Sequence, residues 1–173
     1  ELKSRSLKIS RYWDIKIDSK EISEKTAISG IIEIMKDSVK RRLISDVPLG
    51  AYLSGGIDSS SIVALMKEHT DDINTYSLAF EHDKLGNELG YARKVSELFS
   101  TNHHEITIKS DIVKELPKIV WHLDEPMSDP AAVPVYFLSK EAKKTVTVIL
   151  TGDGADELFA GYEQYIRVVK LYK

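Results

Sequence analysis

Apolar positions recur along the chain with two different periods, and the period switches several times. From Lys25 to Ser45, Ile28, Ile31, Ile32, Met35, Val39 and Leu43 fall on one helical face. Val47 to Leu53 is an apolar run that predicts a buried strand; it breaks on Gly55 and Gly56. Ile57, Ile62, Val63, Ala64, Leu65 and Met66 then resume at helical spacing. Asn74 to Phe80 alternates as a strand, with Tyr76, Leu78 and Phe80 on one side. Glu81 to Gly90 is polar and predicts a loop or helix lead-in. Tyr91, Ala92, Val95, Leu98 and Phe99 give another amphipathic helix, and His103 to Ile108 another strand. Ile112 to Trp121 predicts a helix in which Pro117 marks a kink or a new start. Asp124 to Pro130 holds two prolines and three acids and suits a loop. A helix follows from Ala131 to Lys144, with Pro134 in its first turn. Thr145 to Leu150 is β-branched and apolar, as a strand buried on both faces would be. Glu157 to Lys173 returns to helix.

Strands alternating with helices require crossover connections, which predicts an α/β fold: a mainly parallel sheet with helices on both faces. Ligands of such sheets bind beyond the carboxyl ends of the strands. Two glycine-rich segments, after Leu53 and after Leu150, sit at such ends and can converge on one crevice. Residues 1–20, which carry the Tyr12-Trp13 pair in a polar arm, precede a domain expected over 21–173.

Composition narrows the chemistry. The 173 residues are 42% hydrophobic and 29% charged, which suits one soluble globular domain with a sizeable core. A net charge of −3 with no long basic run argues against nucleic acid as a partner. There is no cysteine, so disulfides, thiolate metal sites and a cysteine nucleophile are impossible within this chain. No apolar run approaches a membrane span and no basic-plus-apolar leader opens the chain, so the expected location is the cytoplasm. His103 and His104 are adjacent, face opposite sides of a strand, and are expected to be structural. The basic end of the first helix, Lys40 to Arg42, either meets phosphate or is a solvated face that complements the helix dipole.

The segment Ser54-Gly55-Gly56-Ile57-Asp58-Ser59-Ser60 carries the most specific signal. Strand, glycine turn and helix start aim backbone N–H groups at an anion, most often a phosphate. Gly55 and Gly56 can take positive φ and let a ligand approach the backbone, and Ser54, Ser59 and Ser60 add hydroxyl donors. No lysine follows the glycines as a Walker loop requires; Asp58 stands there instead. A carboxylate among phosphate oxygens calls for a divalent cation, usually Mg²⁺, between them. Asp156 in the second loop is a candidate second ligand, or else an acid that favours a helix N-terminus. Leu78 and Phe80 either hold a base through backbone and apolar surface or pack in the core. Without further information, the first segment is also compatible with a serine-capped turn.

Ser54 to Ser60 resembles the pyrophosphate loop of the ATP pyrophosphatase superfamily, whose members adenylate a substrate with ATP and release pyrophosphate. Thr151-Gly152-Asp153-Gly154-Ala155-Asp156-Glu157-Leu158-Phe159-Ala160-Gly161-Tyr162 resembles the second signature of one branch, the synthetase domain of the glutamine-hydrolysing asparagine synthetases. The likeness runs from about Arg11, where Arg11-Tyr12-Trp13-Asp14 is similar to the connector from the glutaminase domain. It implies an adenine nucleotide α-hydrolase-like domain that uses ATP and Mg²⁺, with aspartate and ammonia as substrates, and it leaves a homodimer open. By the same resemblance Leu53, Leu78 and Gly152 line the AMP site, and Asp58 and Asp156 hold the metal. Asp153 stands where some members carry a glutamate tied to forming the acyl-adenylate, and it is one carbon shorter. Where many relatives read Asp-Glu, this chain has Asn87-Glu88. The resemblance also implies an N-terminal glutaminase domain outside these residues and a transition-state lysine downstream of Lys173. On that basis the 173 residues by themselves are expected to bind ATP without making asparagine.

Two rivals stay open. β-Lactam synthetases and other amide ligases share these loops, and no residue here fixes aspartate as the acceptor. A nucleotide-binding module without turnover is the alternative from outside the enzymes.

Overall fold

A computed structural model describes residues 7, 9–16, 20–81, 88–109 and 111–171. The remainder of the 1–20 arm, Asn87, and Tyr172 and Lys173 at the end of the last predicted helix lie outside the described residues. The chain divides into two compact units, residues 1–33 and 34–173, with the break inside the first helix. In the first unit Arg11 pairs with Asp14, and the Ser23 hydroxyl accepts from the Thr26 amide at 3.2 Å, which starts helix α1, Glu24–Arg42. Tyr12 and Trp13 are exposed.

Among the described residues the second unit is built on four strands: β1 (Leu49–Tyr52), β2 (Asn74–Phe80), β3 (Asn102–Ile108) and β4 (Val148–Leu150). All described pairings are parallel, in the order β3-β2-β1-β4. Helices α2 (Ile57–Lys67) and α3 (Leu89–Phe99) make the first two crossovers, and α4 (Ile112–Leu123) with α5 (Ala132–Ala142) makes the third. The chain thus walks outward from β1 to β3 and then returns to the other side of β1. Right-handed crossovers in opposite directions must cover opposite faces, and the core divides accordingly. On one face Ala51, Leu53, Val63, Met66, Ile73, Ala92 and Leu150 pack together with Val39 of α1. On the other, Tyr76, Ala142 and Val146 pack with Tyr52, Leu138 and Ile149. The predicted α/β class with helices on both faces is the one observed.

Two expectations change. β4 is not buried on both faces: only Val148–Leu150 forms strand, among the described residues it pairs with β1 alone, and Val148 is exposed. Its predicted first residue, Thr145, instead gives its hydroxyl to a bond with Tyr76. The single helix expected from Glu157 to Lys173 is two, α6 (Ala155–Phe159) and α7 (Glu163–Leu171), split where Ala160 turns left-handed at φ 56°.

His103 and His104 both make side-chain contacts across the sheet. His103 Nδ1 lies 2.8 Å from the Thr75 hydroxyl, which also meets Thr101 at 2.8 Å, and His104 stacks on Tyr76. Burial pushes the His103 imidazole below its ordinary value, and Glu105 opposes this in part. A depressed value means the unfolded chain takes up the proton first, so this contribution is present above about pH 6.5. Stability is expected to fall as pH drops below that value through the folded one. Chemical denaturation between pH 7.5 and 5 should show a smaller decline in His103→Gln than in the parent; an unchanged decline removes His103 as its source.

Candidate functional site

The return of the chain at β1 creates a topological switch point between β1 and β4, the place where open parallel sheets bind ligands. Both glycine-rich loops leave from the strands that flank it.

The first loop is braced from two sides. The Leu53 amide donates to the Tyr76 carbonyl at 2.9 Å, and the Ser77 hydroxyl donates to the Leu53 carbonyl. Gly55 takes φ 84°, and a methyl group there would lie 2.5 Å from Tyr91 Cβ and 2.6 Å from the Ala92 nitrogen. The start of α3 therefore presses directly on the loop, and glycine is required at 55 both for its backbone conformation and for space. Gly56, by contrast, is extended (φ −68°, ψ 163°), so positive φ is a property of Gly55 alone. The serines also differ from expectation. Ser54 and Ser59 hydroxyls lie 3.0 Å apart and bind the loop's own backbone, with Ser54 Oγ accepting from the Gly56 amide at 3.2 Å. They shape the loop rather than face outward. The Ser60 hydroxyl is buried without a partner among the described residues.

What the loop offers a ligand is backbone. The amides of Gly55, Ile57, Asp58 and Ser59 have no partner among the described residues, and α2 begins with no side-chain cap. Unsatisfied first-turn amides with the positive end of the helix dipole behind them form an anion site.

The second loop closes on the first. A methyl group at Gly152 would lie 2.9 Å from Asp58 Cβ and 3.1 Å from the Ser59 nitrogen. Gly154 takes φ 87° and opens α6, whose first turn carries Asp156. The Asp156 carboxylate lies against Gly161, so a side chain there would have to displace it. Tyr162 donates to Glu157 at 2.7 Å; that bond, with burial and the nearby carboxylates, pushes the phenol up to about 12.

Beside the first loop, at the carboxyl ends of β1 and β2, lies a cavity of about 270 Å³ whose walls include Leu53, Ser54, Leu78, Phe80 and Glu88. Leu53 and Leu78, nominated from sequence, thus share one cavity. Asp153 does not line it; it is exposed and borders two other grooves, one beside Arg42 and one between α4 and α5. Glu88 and the α5 residues Pro134 and Leu138 were not foreseen as walls of this cavity. For Glu88 a signal was present, since it keeps the glutamate of the Asp-Glu pattern from which Asn87 departs.

Among the described residues no three acidic, histidine or cysteine side chains gather as a metal cage. Mg²⁺ does not need one: it is typically held by one or two carboxylates plus substrate phosphates and water. Asp58, whose carboxylate has no described partner, and Asp156, in the first turn of the facing loop's helix, fit that requirement.

Comparison with known proteins agrees with this geometry. The asparagine synthase profile matches residues 30–171. The chain is 42% identical over 155 residues to asparagine synthetase (glutamine-hydrolyzing) 1 of Bacillus subtilis, covering 89% of this chain and 24% of that protein. It is 35% identical over 172 residues to asparagine synthetase (glutamine-hydrolyzing) 3 of the same organism, covering 90% of this chain and 28% of that one. It therefore spans about a quarter of the length of these relatives. Among solved structures, the NH3-dependent NAD synthetase of Campylobacter jejuni superposes with a TM-score of 0.51 at 17% identity, covering 78% of this chain and 60% of that one. At that identity the likeness concerns the fold.

Proposed function

Because the chain belongs to the asparagine synthase family, we propose that it is the ATP-binding part of an amide ligase that joins ammonia to the side-chain carboxylate of aspartate. In this reading a carboxylate oxygen of aspartate attacks the α-phosphorus of ATP, and pyrophosphate leaves. Ammonia then displaces AMP to give asparagine. The observation that carries the proposal is the meeting of two glycine loops at the switch point, with free amides on one and Gly152 against Asp58 and Ser59.

The residues divide the work as follows. The amides of Gly55, Ile57, Asp58 and Ser59 stabilise charge on the departing pyrophosphate, an electrostatic contribution that grows when water is excluded. Leu53 and Leu78 receive the base in the cavity they share. Asp58 and Asp156 would hold Mg²⁺, which when bound neutralises part of the phosphate charge. Holding aspartate in line with the α-phosphorus supplies the remainder by positioning. An N-terminal glutaminase domain as the source of ammonia, and a cytoplasmic location, belong to the same proposal. Among the described residues no helix is long and apolar enough to cross a membrane.

The test is aspartate-dependent pyrophosphate release by the intact protein with ATP, Mg²⁺ and ammonium. Release that requires a different carboxylic acid would shift the proposal to another amide ligase; saturable ATP binding with no release for any acceptor would leave a nucleotide-binding module. Within this reading Asp58→Asn is expected to weaken ATP binding at least tenfold in the presence of Mg²⁺ and much less in its absence. Its melting temperature should stay near the parent's, because Asp58 has no described partner to lose. Equal affinity with and without Mg²⁺ in parent and variant would take Asp58 out of the site.

A further inference from the structure

The cavity at the ends of β1 and β2 is lined by both apolar and polar side chains. Leu78, Phe80, Pro134 and Leu138 give it hydrocarbon walls. Of its polar side chains, most are already occupied. Tyr52 hydroxyl meets Ser139 at 2.7 Å, Tyr76 hydroxyl meets Thr145, and Ser77 binds the Leu53 carbonyl. Ser54 is consumed in shaping the glycine loop. The Glu88 carboxylate alone among these lining side chains has no described hydrogen-bond partner.

Its position makes that notable. Glu88 is the residue preceding α3, where a short polar side chain such as Asp or Ser would cap the helix amides. Here the backbone is helical (φ −70°, ψ −11°), there is no side-chain cap, and the Glu88 carbonyl takes the Tyr91 and Ala92 amides at 2.9 and 3.1 Å. Glu88 is exposed and lines the cavity, its carboxylate not engaged by the helix amides. Tyr91 and Ala92 are also the residues that press on Gly55. Glu88 therefore stands about one helical turn before the residues that press on the glycine loop, and it shares the cavity with Ser54 of that loop.

A carboxylate accepts hydrogen bonds and repels phosphate, so the part of a nucleotide it suits is a donor close to the phosphates but not one of them. In a nucleoside triphosphate that part is the ribose, whose two hydroxyls lie between the phosphate chain and the base. We propose that Glu88 reads the ribose, accepting hydrogen bonds from its 2′- and 3′-hydroxyls while the apolar walls hold the base. Dinucleotide-binding sheets use an acidic residue on ribose for the same chemical reason. The inference rests on the nucleotide reading above and assigns the sugar selectivity of that site.

The experiment compares ATP, 2′-deoxy-ATP and 3′-deoxy-ATP, each with Mg²⁺, by calorimetric titration of the intact protein. The parent is expected to bind ATP roughly 10- to 100-fold more tightly than at least one deoxy analogue, the usual worth of a hydrogen bond to a charged group. Glu88→Ala should lose that preference, binding ATP no better than the analogues. Glu88→Gln should keep part of it, because the amide oxygen still accepts. A variant that weakens all three nucleotides equally, with the preference intact, would show Glu88 to be structural and overturn the assignment, as would a parent indifferent to the deoxy analogues. A parent that binds no ATP at all overturns the nucleotide reading itself, and the Glu88 assignment with it.

Discussion

Gly55→Ala is expected to abolish measurable ATP binding and to lower the melting temperature, whereas Gly56→Ala is expected to do little to stability. The two neighbours differ in backbone and in surroundings. At Gly55, φ 84° imposes a left-handed cost of roughly 1–2 kcal/mol on any residue with a β-carbon. The added methyl would also stand 2.5 Å from Tyr91 Cβ, inside van der Waals contact, and such overpacking costs about 1–3 kcal/mol. Together these correspond to a fall in melting temperature of roughly 4–20 °C. The overlap can be relieved only by moving the loop off α3 or α3 off the sheet. Either movement displaces the amides of Gly55, Ile57, Asp58 and Ser59, and losing even one hydrogen bond to a charged phosphate costs about 10- to 100-fold in affinity. At Gly56 the backbone is extended and the new methyl meets only Ser54 Oγ, at 3.2 Å. Calorimetric melting and ATP titration of the two variants side by side check this. Equal melting temperatures would show that α3 does not brace the loop.

Gly152→Val should leave the fold largely intact and lower pyrophosphate release by about 10² or more. A branched side chain at 152 would enter a space where even a methyl lies 2.9 Å from Asp58 Cβ and 3.1 Å from the Ser59 nitrogen. Gly152 is on the loop side of β4, an edge strand of three residues among those described, so the second loop can back away without dismantling the core. The loops would then part by about an ångström, and a displacement of that size at a reacting centre costs on the order of 10² in rate. Measurement of pyrophosphate release beside far-ultraviolet circular dichroism separates this from unfolding. Release within threefold of the parent would mean that the proximity of the loops is incidental.

The parts of this site that were legible in the sequence are those fixed by local pattern. An apolar run ending on Gly55-Gly56 and resuming at helical spacing specifies strand, turn and helix, and alternation with helices specifies a parallel sheet. Those two facts place Ser54 to Ser60 and Thr151 to Asp156 at strand ends. The parts that were not legible depend on contacts between distant segments. That Gly55 has no room for a side chain is decided by Tyr91 and Ala92, which press on it from α3. The roles of Ser54 and Ser59 follow from their bond to each other, which spacing alone does not distinguish from outward-facing donors. Thr145 looked like strand because it is β-branched, yet the Tyr76 hydroxyl claims it before β4 begins. Ala160, left-handed at φ 56°, and Gly161, against which the Asp156 carboxylate lies, interrupt what apolar spacing predicted as one helix. Asp153 sits in the same motif as Gly152, but adjacency in sequence does not fix which groove a side chain borders. Glu88 was visible only as the retained glutamate of a pattern from which Asn87 departs, and it gains meaning from the strand-end cavity it helps to line.

The central claim is that the two glycine loops form one nucleotide crevice, and amide hydrogen exchange with and without ATP and Mg²⁺ tests it most directly. The amides of Gly55, Ile57, Asp58 and Ser59 lack partners among the described residues and should exchange rapidly in the free protein. On adding nucleotide, protection is predicted in both segments together, 54–60 and 151–156, with the same dependence on ATP concentration. Protection confined to one segment, or none in either at saturating nucleotide, would contradict it.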